Sequence, residues 1–478
     1  MSEKYIKFFD AMVLTELQDA VGRENVKTGF TDQLVHAVDY YWGPRCWVDR
    51  GKMPDLPQYV VYPTSTAQVS KVVKIANQHK IPVTPWGGGS GSQGGALPVH
   101  AGIVLDMKKM NRVLEINELA YTATAEAGII HQDFEWALNK KKFSTMHLPA
   151  SIGCATLGGF LAHRGTGVLS TKYGKIEDLI VSMEVVLPNG DIMNTMKVPR
   201  NAAGPDLNQV FVGGEGTLGI ITKATVKIFD IPEIRQYRAF MFKNMHDALE
   251  AGRKIMTKRL QPCVIRMYDE AETVHQIERV MGLKKQGAYL VFGFDGYKDI
   301  VKIQEDIAVK ICMETATEDL GNSMGESWWK NKYKFFYPPY IMDLPEAFGT
   351  MDTVATYDNI EKIYWGMKQV AESYAGTKFI AHFSHWYEWG CMMYDRFIVA
   401  PEYVPQDPAE AISLYNEIWY KCIRVAIENG GVLNEHHGIG IKMSYLMKEQ
   451  YGTAFQVIEG LKKSLDPNNI MNPGKMGL

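Results

Sequence analysis

The chain has 478 residues, enough for at least two buried cores, because single domains usually stop growing well short of that length. Its hydrophobic fraction of 46%, charged fraction of 22% and formal net charge of -3 describe an ordinary globular protein and remove the electrostatic case for nucleic acid or an anionic membrane surface. No long apolar run marks a transmembrane span, the N-terminus lacks a signal-peptide core, and six scattered cysteines without a C-x-x-C pair suit free thiols, so a cytoplasmic protein is expected.

After an amphipathic N-terminal helix, residues 57–86 read as strand, helix, strand. The helix is capped at Thr64/Ser65 and spaces Val69, Val72, Val73 and Ile75 for one buried face. "WGGGSGSQGG" follows, with G-x-G-x-x-G at Gly89, Gly91 and Gly94, outwardly the fingerprint of a Rossmann dinucleotide loop. The next residues contradict it: "ALPVHAGIVLDMKKM" runs toward another strand, and Pro98 and Gly102 bar the helix whose N-terminus would meet a pyrophosphate. A Walker A loop fails too, since no Gly-Lys-Ser/Thr follows the glycines.

From Arg112 to Ile130 the residues alternate and favour β structure, and "HQDFEWALNKKKF" reads as a helix. A second glycine-rich segment spans residues 148–180. "VSMEVVLPNGDIM" is a hairpin, expected to turn on the two residues Asn189-Gly190 at positive φ. The third glycine cluster, "VGGEGTLGIITKATVKIF", enters a strand with Ile220, Thr222, Ala224, Val226 and Ile228 on one face. A boundary falls near Pro232. Beyond it helices such as "MHDALEAGRKIMTKRL" alternate with strands such as "AYLVFGFDG" and the aromatic stretch "ESWWKNKYKFFYPPYIMDLPEAF", the pattern of a second α+β unit.

The three glycine segments in this order, together with "IRMYDE", "EHHGIG" and "DPNNIMNPGK", resemble the vanillyl alcohol oxidase / p-cresol methylhydroxylase (PCMH) superfamily of flavoproteins over nearly the whole chain. The resemblance is nearest the branch of glycolate oxidase, D-lactate dehydrogenase and alkyldihydroxyacetonephosphate synthase. It implies an α+β fold: a PCMH-type two-subdomain FAD-binding domain over residues 1–231, an α+β substrate cap with an antiparallel sheet over 232–430, and a segment 431–478 returning to the FAD domain. It also implies FAD bound by Trp86, Gly87, Gly88, Gly89, Ser90, Gly91 and Ser92 from the first segment. Pro149, Ser151, Thr156, Gly158, Gly159 and Gly165 would follow from the second, and Glu215, Gly216, Gly219 and Ile221 from the third, with Lys475 nearby. Successive glycines suit this task because they let backbone N–H groups approach an anion closely. Some members attach flavin through a histidine just after the first glycines. Here that position is Ser90, so noncovalent FAD is expected.

Two histidines beside a glycine turn, His436 and His437, have the chemistry to move a proton near neutral pH. By resemblance, His436 falls on the active-site histidine of the synthase-like branch. Tyr394 falls on its catalytic tyrosine, within the pattern Ser384, His385, Tyr387, Gly390, Tyr394. Arg266 matches an anion-site arginine, but two other family arginines are Met342 and Lys332 here, and the aspartate that often follows Pro149 is Ala150. Arg266, Lys332, Tyr340, His385 and Trp389 are the expected substrate contacts. No metal is expected, because metal-dependent relatives place two histidines seven residues apart, whereas His382 and His385 are three apart. Any site from His382, His385 and Glu435 would need another geometry.

The resemblance implies oxidation of a hydroxyl-bearing small molecule, a 2-hydroxy acid or an aromatic or bulky alcohol. Hydride would pass to flavin N5 while His436, assisted by Tyr394, takes the proton. The alternative is a synthase-like flavin-adduct transferase without net oxidation. Expected partners are the small-molecule substrate and an electron acceptor, whether oxygen, a quinone, a cytochrome or an electron-transfer flavoprotein; a homodimer is compatible with either reading.

Overall fold

The computed structural model describes residues 3–335 and 347–478. Its first sheet contains β1 (Val26–Lys27), β2 (Tyr59–Val61), β3 (Val83–Trp86) and β4 (Ile103–Asp106), in the order β1-β2-β4-β3. β2, β4 and β3 run parallel, as a strand-helix-strand reading requires. The intervening helix Thr66–His79 starts at Ser65, whose hydroxyl accepts from the Gln68 N–H. It buries Val69, Val72, Val73 and Ala76 against the sheet, while Ile75 lies at the edge of this core. After the first glycines the chain goes straight to β4 with no helix, the arrangement expected from Pro98 and Gly102.

The second sheet is antiparallel, with β5 (Val113–Asn117), β6 (Thr122–Glu126), β8 (Ile180–Val186), β9 (Ile192–Asn194) and β10 (Ile220–Lys227) in the order β5-β6-β10-β8-β9; β7 (Phe143–Ser144) and β11 (Phe229–Asp230) form a ribbon of their own. β10 alternates buried and half-buried residues along its length, matching its sequence pattern. The β8–β9 turn differs from expectation. Only Gly190 takes positive φ, at 84°, and the Leu187 N–H donates to the Asp191 carbonyl, making a three-residue loop. Pro188 explains this: its fixed φ favours a type I turn followed by one left-handed glycine.

The third sheet has seven antiparallel strands: β12 (Ile234–Phe242), β13 (Val264–Tyr268), β14 (Ala288–Gly296), β15 (Ala316–Leu320), β16 (Ala347–Thr356), β17 (Thr377–Trp386) and β18 (Gly390–Val399), in the order β15-β12-β14-β13-β17-β18-β16. Helices Met245–Thr257, Lys298–Cys312, Tyr357–Glu372 and Pro408–Glu428 contribute to the largest core, on one face. On the opposite face Met146, Val168 and Leu169 from the glycine-rich half pack with Val264, Tyr268 and Tyr289. The C-terminal segment then returns to the first sheet. Val83 donates to the Ile470 carbonyl at 2.7 Å, and the Asn472 N–H donates to that of Val83 at 2.8 Å. The open face of the large sheet thus looks onto the glycine segments.

Candidate active site

The three glycine segments surround one cleft, whose atom-free space of about 980 Å³ includes the part open to solvent. Trp86, Gly87, Gly88, Gly89, Ser90, Gly91, Thr156, Gly158, Gly159, Glu215, Gly216, Gly219 and Ile221 line it. Not every glycine is there for the same reason. A Cβ on Gly88 would sit 2.0 Å from the Cys154 carbonyl oxygen, so close packing of the first segment on the second demands glycine. Gly91 has an ordinary φ, and a Cβ there would meet nothing within 4 Å, so the protein itself does not require its glycine. A ligand pressed against the loop would, and the lining therefore fits a bound dinucleotide.

Ser92, Pro149, Ser151, Gly165 and Lys475 stand outside this lining. The Ser92 hydroxyl accepts from the Gln93 amide, the Ser151 carbonyl accepts from Cys154 and Ala155, and Gly165 packs on Phe160. Lys475 is fully buried and donates to the Leu97 carbonyl at 2.7 Å; burial pulls its amine down to about 8. Glu215 does line the cleft, but its carboxylate accepts from the N–H groups of Ile439 and Gly440, so it fastens the C-terminal histidine turn to the third glycine segment. His163, Gln93 and Phe211 also line the cleft, and sequence reasoning missed them. Nothing in their spacing distinguishes them from ordinary core residues.

The chemistry-bearing side chains come from the open face of the large sheet and from the turn after Leu433. Asp352, Tyr394, His382 and Tyr268 lie opposite one another across β16, β18, β17 and β13, so their side chains share a face. Strict alternation would send His385 to the other face. The register slips between Phe383 and Trp386, where Ser384 and His385 together face the single residue Met392 on β18, and this bulge brings His385 into the site as well. Its ring lies 5.2 Å from that of His436, and Tyr394 stacks on His382 at 4.7 Å.

Asp352 is the centre of the cluster. It is completely buried, and its Oδ1 accepts from Asn434 Nδ2 at 2.6 Å and His437 Nδ1 at 2.7 Å. Its Oδ2 accepts from the N–H groups of Glu435 and His436 at 2.9 and 2.8 Å and lies 3.0 Å from His436 Nδ1. That same nitrogen lies 2.9 Å from Glu435 Oε2. Burial alone would lower the His436 imidazole, but the two carboxylates prevail and raise it to about 9. His437 is held below its usual value, by burial first and then by its charged neighbour His436, against the pull of Asp352. The two rings are 3.9 Å apart, so a second cation there is unfavourable. His437 lines the glycine cleft; His436 does not.

Glu435 bridges the two halves of the chain. Tyr387 donates to its Oε1 at 2.7 Å, His385 Nδ1 lies 3.2 Å from Oε2, and the Lys175 ammonium is 3.2 Å from Oε1 and 2.7 Å from the backbone carbonyl. Despite burial, these partners hold its carboxyl well below the usual range. His382 faces elsewhere: its Nδ1 is 3.5 Å from Glu272 and its Nε2 accepts from Arg266 Nη1 at 3.4 Å. Burial keeps it neutral, near 3, and Arg396 pairs with the same Glu272. Arg266 is buried over the Trp328 ring, and its Nε has no hydrogen-bond partner among the described residues.

The remaining expected substrate residues are not gathered here. Trp389 is 53% exposed and stacks on the outer side of Tyr387, because the β17–β18 turn faces solvent. Lys332 sits over the rings of Trp329 and Tyr333. Tyr340 and Met342 lie outside the described residues. Among the described residues two trios of metal-capable groups have donor atoms within 4.8 Å of one another, Asp352-His436-His437 and His385-Glu435-His436; His382 belongs to neither.

Residues 57–196 match the family model described as FAD binding domain, and residues 231–476 match that of FAD linked oxidases, C-terminal domain. The chain is 31% identical over 489 residues to YgcU, an FAD-linked oxidoreductase of Escherichia coli (strain K12), covering 97% of this chain and 98% of that one. It is 29% identical over 498 residues to alkyldihydroxyacetonephosphate synthase of Trypanosoma brucei brucei, covering 96% and 80%. The crystal structure of p-cresol methylhydroxylase with substrate bound superposes with a TM-score of 0.79 at 20% identity, covering 98% and 96%, a likeness of fold.

Proposed function

The chain belongs to the FAD-linked oxidases, and on that premise we propose that it oxidises a hydroxyl-bearing small molecule, a 2-hydroxy acid or an aromatic or bulky alcohol. The observation that carries this reading is the pair His436 and His437 on one buried carboxylate, with His437 at the edge of the cofactor cleft. FAD bound in that cleft supplies a two-electron acceptor, and the chain's own groups supply positioning and proton handling.

His437 is the better proton acceptor of the two. Its Nδ1–H donates to Asp352, which leaves the Nε2 lone pair free, as a carboxylate does for the base of a catalytic triad. His436, a cation at neutral pH, stabilises negative charge developing on the substrate oxygen. Tyr394, whose phenol burial keeps protonated, donates to that oxygen. Arg266, with its unpartnered buried Nε, anchors an anionic or strongly polar group of the substrate. The cofactor is held by the lining residues of the three glycine segments, noncovalently given Ser90, and the cap extends from residue 232 to 430. We assign no metal, because the seven-residue histidine spacing of the metal-dependent relatives is absent here and Lys175 already pairs with Glu435.

The test is an anaerobic screen of hydroxy acids, aromatic alcohols and sugars for loss of the oxidised flavin spectrum. Bleaching by one class supports the proposal; no bleaching by any refutes it. A second reading, transfer without net oxidation, is favoured by the extensive similarity to the trypanosomal synthase. It predicts no carbonyl product.

A further inference from the structure

We propose that Asp352 is the positioning residue of this site, holding two neighbouring imidazoles by opposite oxygens and so fixing His437 as proton acceptor and His436 as cation. The inference rests on the reading of the histidine pair as proton-handling groups. Asp352 lies on β16, directly opposite Tyr394 and outside every motif that singles out the site in the sequence. Its oxygens collect three side-chain contacts and two backbone N–H groups from the four residues Asn434 to His437. A carboxylate, with roughly four lone-pair directions, can serve the four hydrogen-bond donors, and its charge also attracts the His436 ring. A strut could make the backbone contacts alone. The contacts to the imidazoles do more: the hydrogen bond from His437 Nδ1 to Oδ1 fixes the tautomer of that ring, and Oδ2 at ion-pair distance from His436 Nδ1 favours the charged form of the other.

The groups facing the pair from other elements agree with that division. Glu435 presents a second carboxylate to His436, and Lys175 from the glycine-rich half pairs with Glu435 on its far oxygen. His385 from β17 meets the edge of the His436 ring, Tyr394 from β18 meets the edge of His437, and His163 Nδ1 donates to the His436 carbonyl. His437 therefore has one carboxylate, which it shares with His436, whereas His436 has two.

The test uses the full-length, FAD-loaded protein with ¹⁵N-labelled histidine, observing the imidazole nitrogens by NMR from pH 5 to 10, with His436→Gln and His437→Gln to assign the two rings. The wild type is expected to show, at neutral pH, one cationic ring assigned to His436 and one neutral ring, protonated on Nδ1, assigned to His437. Two neutral rings, or His437 protonated on Nε2, would overturn the proposal without any variant of Asp352. In Asp352→Asn with its flavin retained, the His436 titration should fall from about 9 toward the ordinary imidazole range near ~6.5. An unchanged titration would also overturn it. Loss of flavin in that variant leaves the wild-type spectrum to decide. Because no substrate is involved, a protein whose flavin no alcohol bleaches would fail the oxidation reading while this result stood independently.

Discussion

A carboxylate shared by two imidazoles makes them unequal, and that inequality governs what the site can do at each pH. His437→Gln should slow anaerobic flavin reduction by ~10²–10⁴-fold, the usual worth of a general base, and a change below about threefold would remove His437 from that role. The pH dependence follows from His436, whose charge is present below about 9 and lost above it. kcat/KM should therefore fall as pH rises through about 9, and His436→Gln should abolish that alkaline limb at a cost in rate. A limb that survives the substitution belongs to another group. Sequence reading singled out His436, His437 and Tyr394 because they sit in short patterns. It missed Asp352, which is 82 residues or more from the groups it binds and stands in no pattern of its own. It assigned the base to His436; the proposal of His437 for that role rests on a fold-dependent contact that no short pattern carries.

At the level of elements, local pattern was informative and irregularity was not. The parallel strands about helix Thr66–His79, the alternation of β10 and the bounds of β14 were all legible from periodicity. The bulge in β17 was not, because one extra residue changes facing without changing composition, and it is what turns His385 toward Glu435 and His436. The same distinction divides the glycines. Gly88→Ala drives a methyl group into the Cys154 carbonyl and should destabilise the protein by ~1–3 kcal/mol or more, with or without flavin. Gly91→Ala meets open space, so the apoprotein's stability should change by no more than ~0.5 kcal/mol while FAD affinity falls. Chemical denaturation of both apoproteins and flavin titration of the second variant check this. Equal losses of apoprotein stability would contradict it.

Across the whole molecule, the cofactor cleft lies where distant parts of the chain meet. Glu215 fastens the turn at Ile439 and Gly440, Lys175 grips Glu435, and residues 470–472 pair with β3. Flavin binding should therefore stabilise both halves together, by about 2.7 kcal/mol when free FAD is one hundred times its Kd. The melting temperature should rise with added FAD, and the flavin should separate from acid-denatured protein in full, since Ser90 offers no covalent attachment. Flavin that stays with the precipitated chain would refute that attachment claim. The family and broad architecture were legible from three glycine segments in order; the substrate was not, because the side chains proposed to meet it come from β13, β18 and the C-terminal turn, which are far apart in the chain. The most direct test of the central claim is a single anaerobic turnover with the hydroxyl compound that bleaches the flavin, counting carbonyl product against flavin reduced. The account predicts one carbonyl per flavin; bleaching with no carbonyl formed would contradict it and favour transfer without net oxidation.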